Sequence, residues 1–314
     1  MGRFIILVAN FFAFSANIFF FCKYNRIFFN FKHSDSYLFS LQKNYNTKIY
    51  NQNFNSSKPK KNKIVSIYFI DSGLKYLKFI KEFLKKLNII FEIKENNPDY
   101  LIYDVFGCEH TKIQYNNSIK IAYYSENIIP DFSEADYSIS QSHIIYLDRY
   151  FKYPFFIRQL NKFKNYNIKR IRLFSKNSTK RKFCGAVISN NNSYTSFRME
   201  FIKRLNKYKH VDMGGSYLNN IGGKVKDKIQ FLSSYKFSVC MENSGGDGYA
   251  SEKIIDSLIA GTIPIYYGDY LIDEYINPKV FILIKDEKDI QDKIEYIKKI
   301  DNDDKLYKSI LKEK

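Results

Sequence analysis

A chain of 314 residues with 45% apolar side chains is long enough for two ordinary domains, each with its own core. Its 29 Phe and 27 Tyr exclude a mostly disordered protein. The formal charge of +18 sits in two blocks: residues 1–61 carry nine Lys/Arg against Asp35 alone, residues 151–183 carry eleven and no acid, and the other 220 residues sum to −1. A nucleic-acid reader places its basic residues on the elements that dock. Here they flank the folded parts as an arm and a connector, so no nucleic-acid partner is expected. That placement suits anionic lipid headgroups or an anionic glycan carrier, and a solvated linker without a partner has the same pattern. Cys22, Cys108, Cys184 and Cys240 show no paired spacing and the four histidines are isolated, so no metal site is expected.

The first element is an uncharged stretch, Phe4 to Phe21, bounded by Arg3 and by Lys23 and Arg26. Its 18 residues are the lower limit for a membrane span, and it lacks a small-residue cleavage site. We therefore expect a single-pass N-terminal anchor over residues 1–22, followed by a polar, basic spacer over 23–62. Structure then begins with a strand, Ile64 to Ile70. Leu74, Leu77, Ile80, Phe83, Leu84 and Leu87 follow at helical spacing. Strands are expected at Ile89–Ile93, Tyr100–Phe106 and Ile119–Tyr124.

After the connector the theme repeats. Expected elements are a strand at Phe183–Ser189, a helix at Thr195–Tyr208, a strand at Val211–Met213 and a helix at Val225–Ser234. A strand at Phe237–Met241, a helix opening at Ser251, and strands at Thr262–Tyr267 and Val280–Ile284 come next. An amphipathic helix at Ile290–Ile300 closes the series. Strand–helix alternation predicts layered α/β domains with parallel sheets. We place an N-terminal Rossmann-like domain over 63–160 and a C-terminal one, with its connector, over 161–314.

Tyr235 to Gly268 carries the chemistry. A buried strand, a glycine-rich loop and a helix start make a pocket in which backbone N–H groups and the helix dipole favour an anion. Glu252 and Lys253 stand at that helix start. An ammonium there opposes the dipole, and an unfavourable local choice hints at function, whereas Glu252 simply complements the dipole. Gly245, Gly246 and Gly248 suit positive-φ turns and close backbone approach. Asp301-Asn302-Asp303 is the chain's one Asp-x-Asp, and with no strand before it we read it as a helix-capping turn. Glu126 follows the strand Ile119–Tyr124, at the strand end where α/β sites gather.

This segment resembles the α1,3-fucosyltransferases, glycosyltransferase family 10. The resemblance rests on Glu242-Asn243-Ser244, Tyr249, Ser251-Glu252-Lys253 and Gly261-Thr262-Ile263-Pro264, in that order and spacing. It implies a GT-B-type enzyme with two Rossmann-like domains facing across a cleft, preceded by the hydrophobic segment and spacer. The implied reaction moves fucose from GDP-fucose to an acceptor hydroxyl with inversion and without a cofactor or metal. Arg198, behind the strand Phe183–Ser189, matches the family's phosphate-binding arginine. Lys253, Asn243, Tyr249, Ser251 and Gly246 would contact the donor, Glu242 would orient the loop, and Glu252 would stabilise the oxocarbenium-like transition state. Glu126-Asn127 matches the segment that carries the general base, although Ser125 stands where relatives have Gly.

The implied acceptor is a sugar hydroxyl, such as the 3-OH of N-acetylglucosamine or glucose, on a lipid or protein carrier. The implied location is the Golgi membrane in a eukaryote or the cytoplasmic face of the inner membrane in a bacterium. Two alternatives stay open: a GT-B enzyme with another nucleotide-sugar, and an inactive membrane-tethered glycan- or lipid-binding protein.

Overall fold

The structure is a computed structural model that describes residues 64–71, 80–81, 84–85, 89–144, 146, 149–159, 181–189, 196–246 and 248–313. The expected anchor and spacer, much of the expected helix over 74–87 and most of the basic connector lie outside them. Among the described residues no helix is long and apolar enough to cross a membrane. Described residues up to Tyr153 belong to one compact unit and those from Pro154 to another.

The first unit is a six-stranded, all-parallel sheet in the order β2-β1-β3-β4-β5-β6. Its strands are β1 (Val65–Ile70), β2 (Phe91–Ile93), β3 (Tyr100–Tyr103), β4 (Ile119–Tyr123), β5 (Tyr137–Ser140) and β6 (Tyr150–Lys152). All four residues of β3 are buried, as expected of a parallel strand covered on both faces. β3 ends at Tyr103 rather than Phe106 because the Asp104 side chain turns the backbone, accepting from Val105 N at 2.8 Å. β5 and β6 were not expected. β5 is short and half serine, and its Ser138 and Ser140 are buried, with Ser140 Oγ 3.1 Å from Tyr150 Oη.

The second unit is a five-stranded, all-parallel sheet in the order β11-β10-β9-β7-β8. Its elements are β7 (Lys182–Ala186), α1 (Ser196–Asn206), β8 (Val211–Met213), α2 (Lys228–Leu232), β9 (Tyr235–Val239), α3 (Lys253–Ile259), β10 (Ile263–Tyr266), β11 (Ile282–Leu283), α4 (Asp289–Asn302) and α5 (Asp304–Lys312). Neighbouring strand residues point to opposite faces, and the core divides accordingly. Val239 and Ile265 pack with Phe201 and Leu205 of α1 and with the stripe Ile290, Ile294, Ile297 and Ile300 of α4. Cys240 and Tyr266 pack with Ile254, Ile255 and Ile259 of α3 and with Phe156.

Both sheets reverse direction once. The chain runs outward from β1 to β2 and returns to β3 on the other side, and it runs from β7 to β8 and returns to β9. Such a reversal leaves a crevice at the carboxyl ends of the two strands that flank it, the usual ligand position of open α/β sheets. The Asp-x-Asp triplet is spent on structure. Asp303 caps α5 by accepting from Lys305 N at 2.9 Å and Leu306 N at 3.0 Å. Buried Asp301 accepts from Lys236 Nζ at 3.0 Å, from Tyr208 Oη at 3.0 Å and from Lys209 Nζ.

Candidate active site

The crevice of the second sheet lies where β7 leads towards α1 and β9 runs into the glycine-rich loop. Arg198, two residues into α1, comes from the first side and Met241 to Ser251 from the second. Arg198 is buried, and its Nη1 donates to Asn243 Oδ1 at 3.2 Å and to the Met241 carbonyl at 3.4 Å. Burial lowers its pKa, partly offset by the charge of Glu242 and by Tyr217, and the guanidinium remains a cation.

Glu242 is the centre of the site. Its carboxylate is fully buried, and its backbone N–H is fixed to the Tyr267 carbonyl at 2.7 Å. Oε1 accepts from Ser251 N at 2.8 Å and Ser251 Oγ at 2.7 Å, and Oε2 accepts from Lys253 Nζ at 2.6 Å. Lys253 Nζ also donates to Ser251 Oγ at 3.0 Å. An ammonium has three N–H donors, so these partners take two. Burial alone would pull the Lys253 pKa down, but Glu242 and Glu252 outweigh it and raise the pKa above the ordinary lysine value. Gly268 packs so closely on this carboxylate that a Cβ would lie 2.7 Å from Glu242 Cγ.

The loop differs from the sequence expectation in three respects. α3 starts at Lys253, two residues later than expected, with Glu252 in the N-cap position. The Ser251 N–H, expected to be left for a ligand's anion, is already taken by the protein's own Glu242. Among the three loop glycines only Gly248 has positive φ, at 86°. Gly245 is required for another reason, since a Cβ there would meet the Tyr267 hydroxyl, whose ring lies against Phe197 at 4.3 Å. The Gly246 carbonyl accepts from Tyr249 N at 3.4 Å, and Tyr249 is itself buried. Asp269 braces the same loop, accepting from Gly248 N at 3.2 Å.

Glu252 faces a lysine that sequence reasoning missed. Lys228 of α2 lies 3.8 Å from Glu252 Oε1 and 3.0 Å from Asp256 Oδ2. Burial would raise the Glu252 pKa, but Lys253 and Lys228 prevail and lower it, so the carboxylate is charged at neutral pH. No local signal marks Lys228, which reaches the site only because α2 packs beside α3.

Glu126 belongs to the first unit, on the loop after β4, where it is half-buried and its carbonyl accepts from Ile128 N at 2.9 Å. The loop starts with Ser125 Oγ donating to Asp104 Oδ2 at 3.3 Å and turns at Asp131, which accepts from Ser133 N and Oγ at 2.8 and 2.7 Å. The structure thus brings Arg198, Asn243, Tyr249, Ser251, Glu252 and Lys253 into one neighbourhood of the second unit. Glu126 lies in the first unit, after the carboxyl end of β4, one strand beyond the pair that flanks that sheet's reversal.

Two family profiles match the chain: "Alpha-(1,3)-fucosyltransferase FucT N-terminal domain" over residues 64–158 and "Glycosyltransferase family 10 (fucosyltransferase) C-term" over residues 177–312. The chain belongs to glycosyltransferase family 10. Among curated relatives, Alpha-(1,3)-fucosyltransferase FucT of Helicobacter pylori is 31% identical over 245 residues, 68% of this chain and 51% of that one. Alpha-(1,3)-fucosyltransferase B of Drosophila melanogaster is 34% identical over 129 residues, 36% of this chain and 29% of that one. The chain thus spans about half, or less, of the length of these curated relatives. A crystal structure of an alpha1,3-fucosyltransferase superposes with a TM-score of 0.70 at 27% identity, covering 82% of this chain and 84% of that one. Another, with GDP-fucose, gives 0.68 at 26% identity over the same shares.

Proposed function

We propose that this family 10 chain transfers L-fucose from GDP-fucose to a hydroxyl of an acceptor glycan, by a single inverting displacement. Three tasks have to be met: the departing diphosphate must be stabilised, positive charge at the anomeric carbon tolerated, and the acceptor hydroxyl deprotonated. Arg198 and Lys253 serve the first. The planar guanidinium matches a diphosphate with parallel hydrogen bonds, and the ammonium adds a charge at the adjoining strand end. Asn243, Tyr249, Ser251 and Gly246 shape the donor pocket around them. Glu252, held ionised by two lysines, sits beside the developing oxocarbenium charge and stabilises it through space. Glu126 takes the proton from the acceptor, for which the 3-OH of N-acetylglucosamine or glucose is the proposed site. Base catalysis of this kind contributes about 10²–10⁴-fold.

No divalent ion is assigned to the reaction. The support is that Asp301 and Asp303 are committed to lysines and a helix cap, while cationic side chains stand at the crevice. Action on a lipid- or protein-linked acceptor at a membrane is part of the proposal, and its support is the uncharged Phe4–Phe21 stretch and the basic spacer behind it.

The observation that carries the reading is the buried Glu242 presenting Lys253 beside Arg198, at the carboxyl ends of the strands that flank the sheet's reversal. The test is a donor panel against a glycan array with purified protein, together with GDP calorimetry. Turnover of GDP-fucose alone is expected. Equal use of other nucleotide-sugars, or no GDP binding, refutes it.

A further inference from the structure

The reversal point of the first sheet is filled by the protein itself. Asp71, which ends β1, has a left-handed backbone at φ 49°, a region that non-glycine residues rarely enter. Its carboxylate is 2% exposed and accepts from Glu109 N and His110 N, both at 3.0 Å, and from His110 Nδ1 at 2.7 Å. Its carbonyl accepts from Asp104 N at 3.2 Å, at the end of β3. Gly107 lies against the same carboxylate with no room for a Cβ. The His110 ring is stacked on Tyr103 at 3.9 Å with an interplanar angle of 11°. Its other nitrogen, Nε2, is 3.2 Å from Oε2 of Glu134, a carboxylate that is 47% exposed.

Both ring nitrogens therefore face carboxylate oxygens. The ring thus bridges two carboxylates from different segments of the unit. The charged groups on the segments around it are Glu109, paired with Lys112 just past the ring's own short helix, Asp104 just after β3, and Asp131 in the loop that holds Glu134. Among the described residues the donor-site side chains make no bond to this network, and a strained Asp–His–Glu chain, buried at Asp71 and His110, is more than a sheet needs to fold.

The chain ends on the loop that carries Glu126. Tyr124 N is held by the Ile139 carbonyl at 3.0 Å, and the Tyr124 ring meets Tyr103 edge-on at 6.2 Å. Glu126 comes two residues later, and eight residues after that Glu134 is tied to His110. The loop is thus fixed to the sheet at both ends: its far end is held by Asp136 N on the Lys120 carbonyl at 3.0 Å and by Arg149 on the Ala135 and Asp136 carbonyls, and just before these ties the His110 imidazole links Glu134 to Asp71 after β1. We propose that His110 is a positioning residue, a strut between Asp71 and Glu134 that sets where Glu126 stands. This rests on the reading of Glu126 as the base.

The experiment replaces the exposed end of the strut, where folding is least at risk. Glu134→Ala should lower kcat by about 10–100-fold, since a misplacement of about 1 Å is worth that much. The Kd for GDP, bound by the other unit, should stay unchanged. Glu134→Gln, whose amide oxygen still accepts from the ring, should regain most of the kcat. Hydrogen–deuterium exchange of the 124–136 peptide should rise in Glu134→Ala and in His110→Phe, which keeps the stack but loses both ties.

A normal kcat in Glu134→Ala, or unchanged exchange in that peptide, overturns the strut. The two readings fail separately. If Glu126→Gln retains full turnover, the base assignment falls, and the exchange arm still decides whether His110 positions the loop.

Discussion

Replacing Lys253 by Ala tests the donor site because its effects on stability and on catalysis can be separated. The ammonium lies 2.6 Å from a carboxylate with no solvent exposure and is itself only 19% exposed. Removing one partner of a buried pair costs roughly 3–5 kcal/mol, because the other charge stays behind. Ser251 still gives Glu242 its N–H at 2.8 Å and its O–H at 2.7 Å, which places the loss at the lower end, about 3 kcal/mol. For a unit of this size that is a fall in Tm of roughly 6–12 °C. Turnover of GDP-fucose should fall by about 10²–10³-fold, the effect of deleting one preorganised donor to a developing anion. The double variant Lys253→Ala/Glu242→Gln removes the stranded charge as well, so it should regain most of the Tm and none of the turnover. Scanning fluorimetry and steady-state kinetics on the three proteins read both effects. If the double variant regains activity, or if Lys253→Ala turns over normally, Lys253 does no more than neutralise Glu242 and the reasoning is refuted.

Arg198→Lys should cut kcat/KM about 100-fold and weaken GDP binding in calorimetry, because a lysine cannot reproduce the planar fork at a buried position. Gly245→Ala pushes a methyl group into the Tyr267 hydroxyl and should raise the Kd for GDP about tenfold while costing about 1–3 kcal/mol of stability, read as a lower Tm. Burial raises the Asp301 pKa, but bonds from Lys209, Lys236 and Tyr208 outweigh it and hold the value below the ordinary one. Its stabilisation is therefore complete above about pH 4 and lost as pH falls through the lower folded value. Asp301→Asn should lower Tm at pH 7, and the gap from wild type should close progressively below about pH 4.

The second unit was largely legible because its signals are local. The stripe Ile290, Ile294, Ile297 and Ile300 defines a helix by spacing alone, and Gly261, at φ 71°, stops another. Asn243, Tyr249, Ser251 and Lys253 sit within a dozen residues, so one pattern carried them all. What sequence could not give is pairing across elements. Lys228 acts on Glu252 from α2, and Glu242 takes a donor that the helix start was expected to leave open. β5 escaped notice because it is short and half serine, with Ser140 bonded to Tyr150 across the strands in place of an apolar run. His110 and Asp71 are 39 residues apart, and an isolated histidine in a sequence gives no hint of a stacked, doubly held ring.

The two sheets share one reversal of direction, and the proposed donor site belongs to the second. In the first, the Asp71 carboxylate, the His110 imidazole and Gly107 fill that place like a cork. Two such reversals would otherwise offer a diphosphate two seats. With the first taken by the unit's own side chains, each chain should saturate with a single equivalent of GDP.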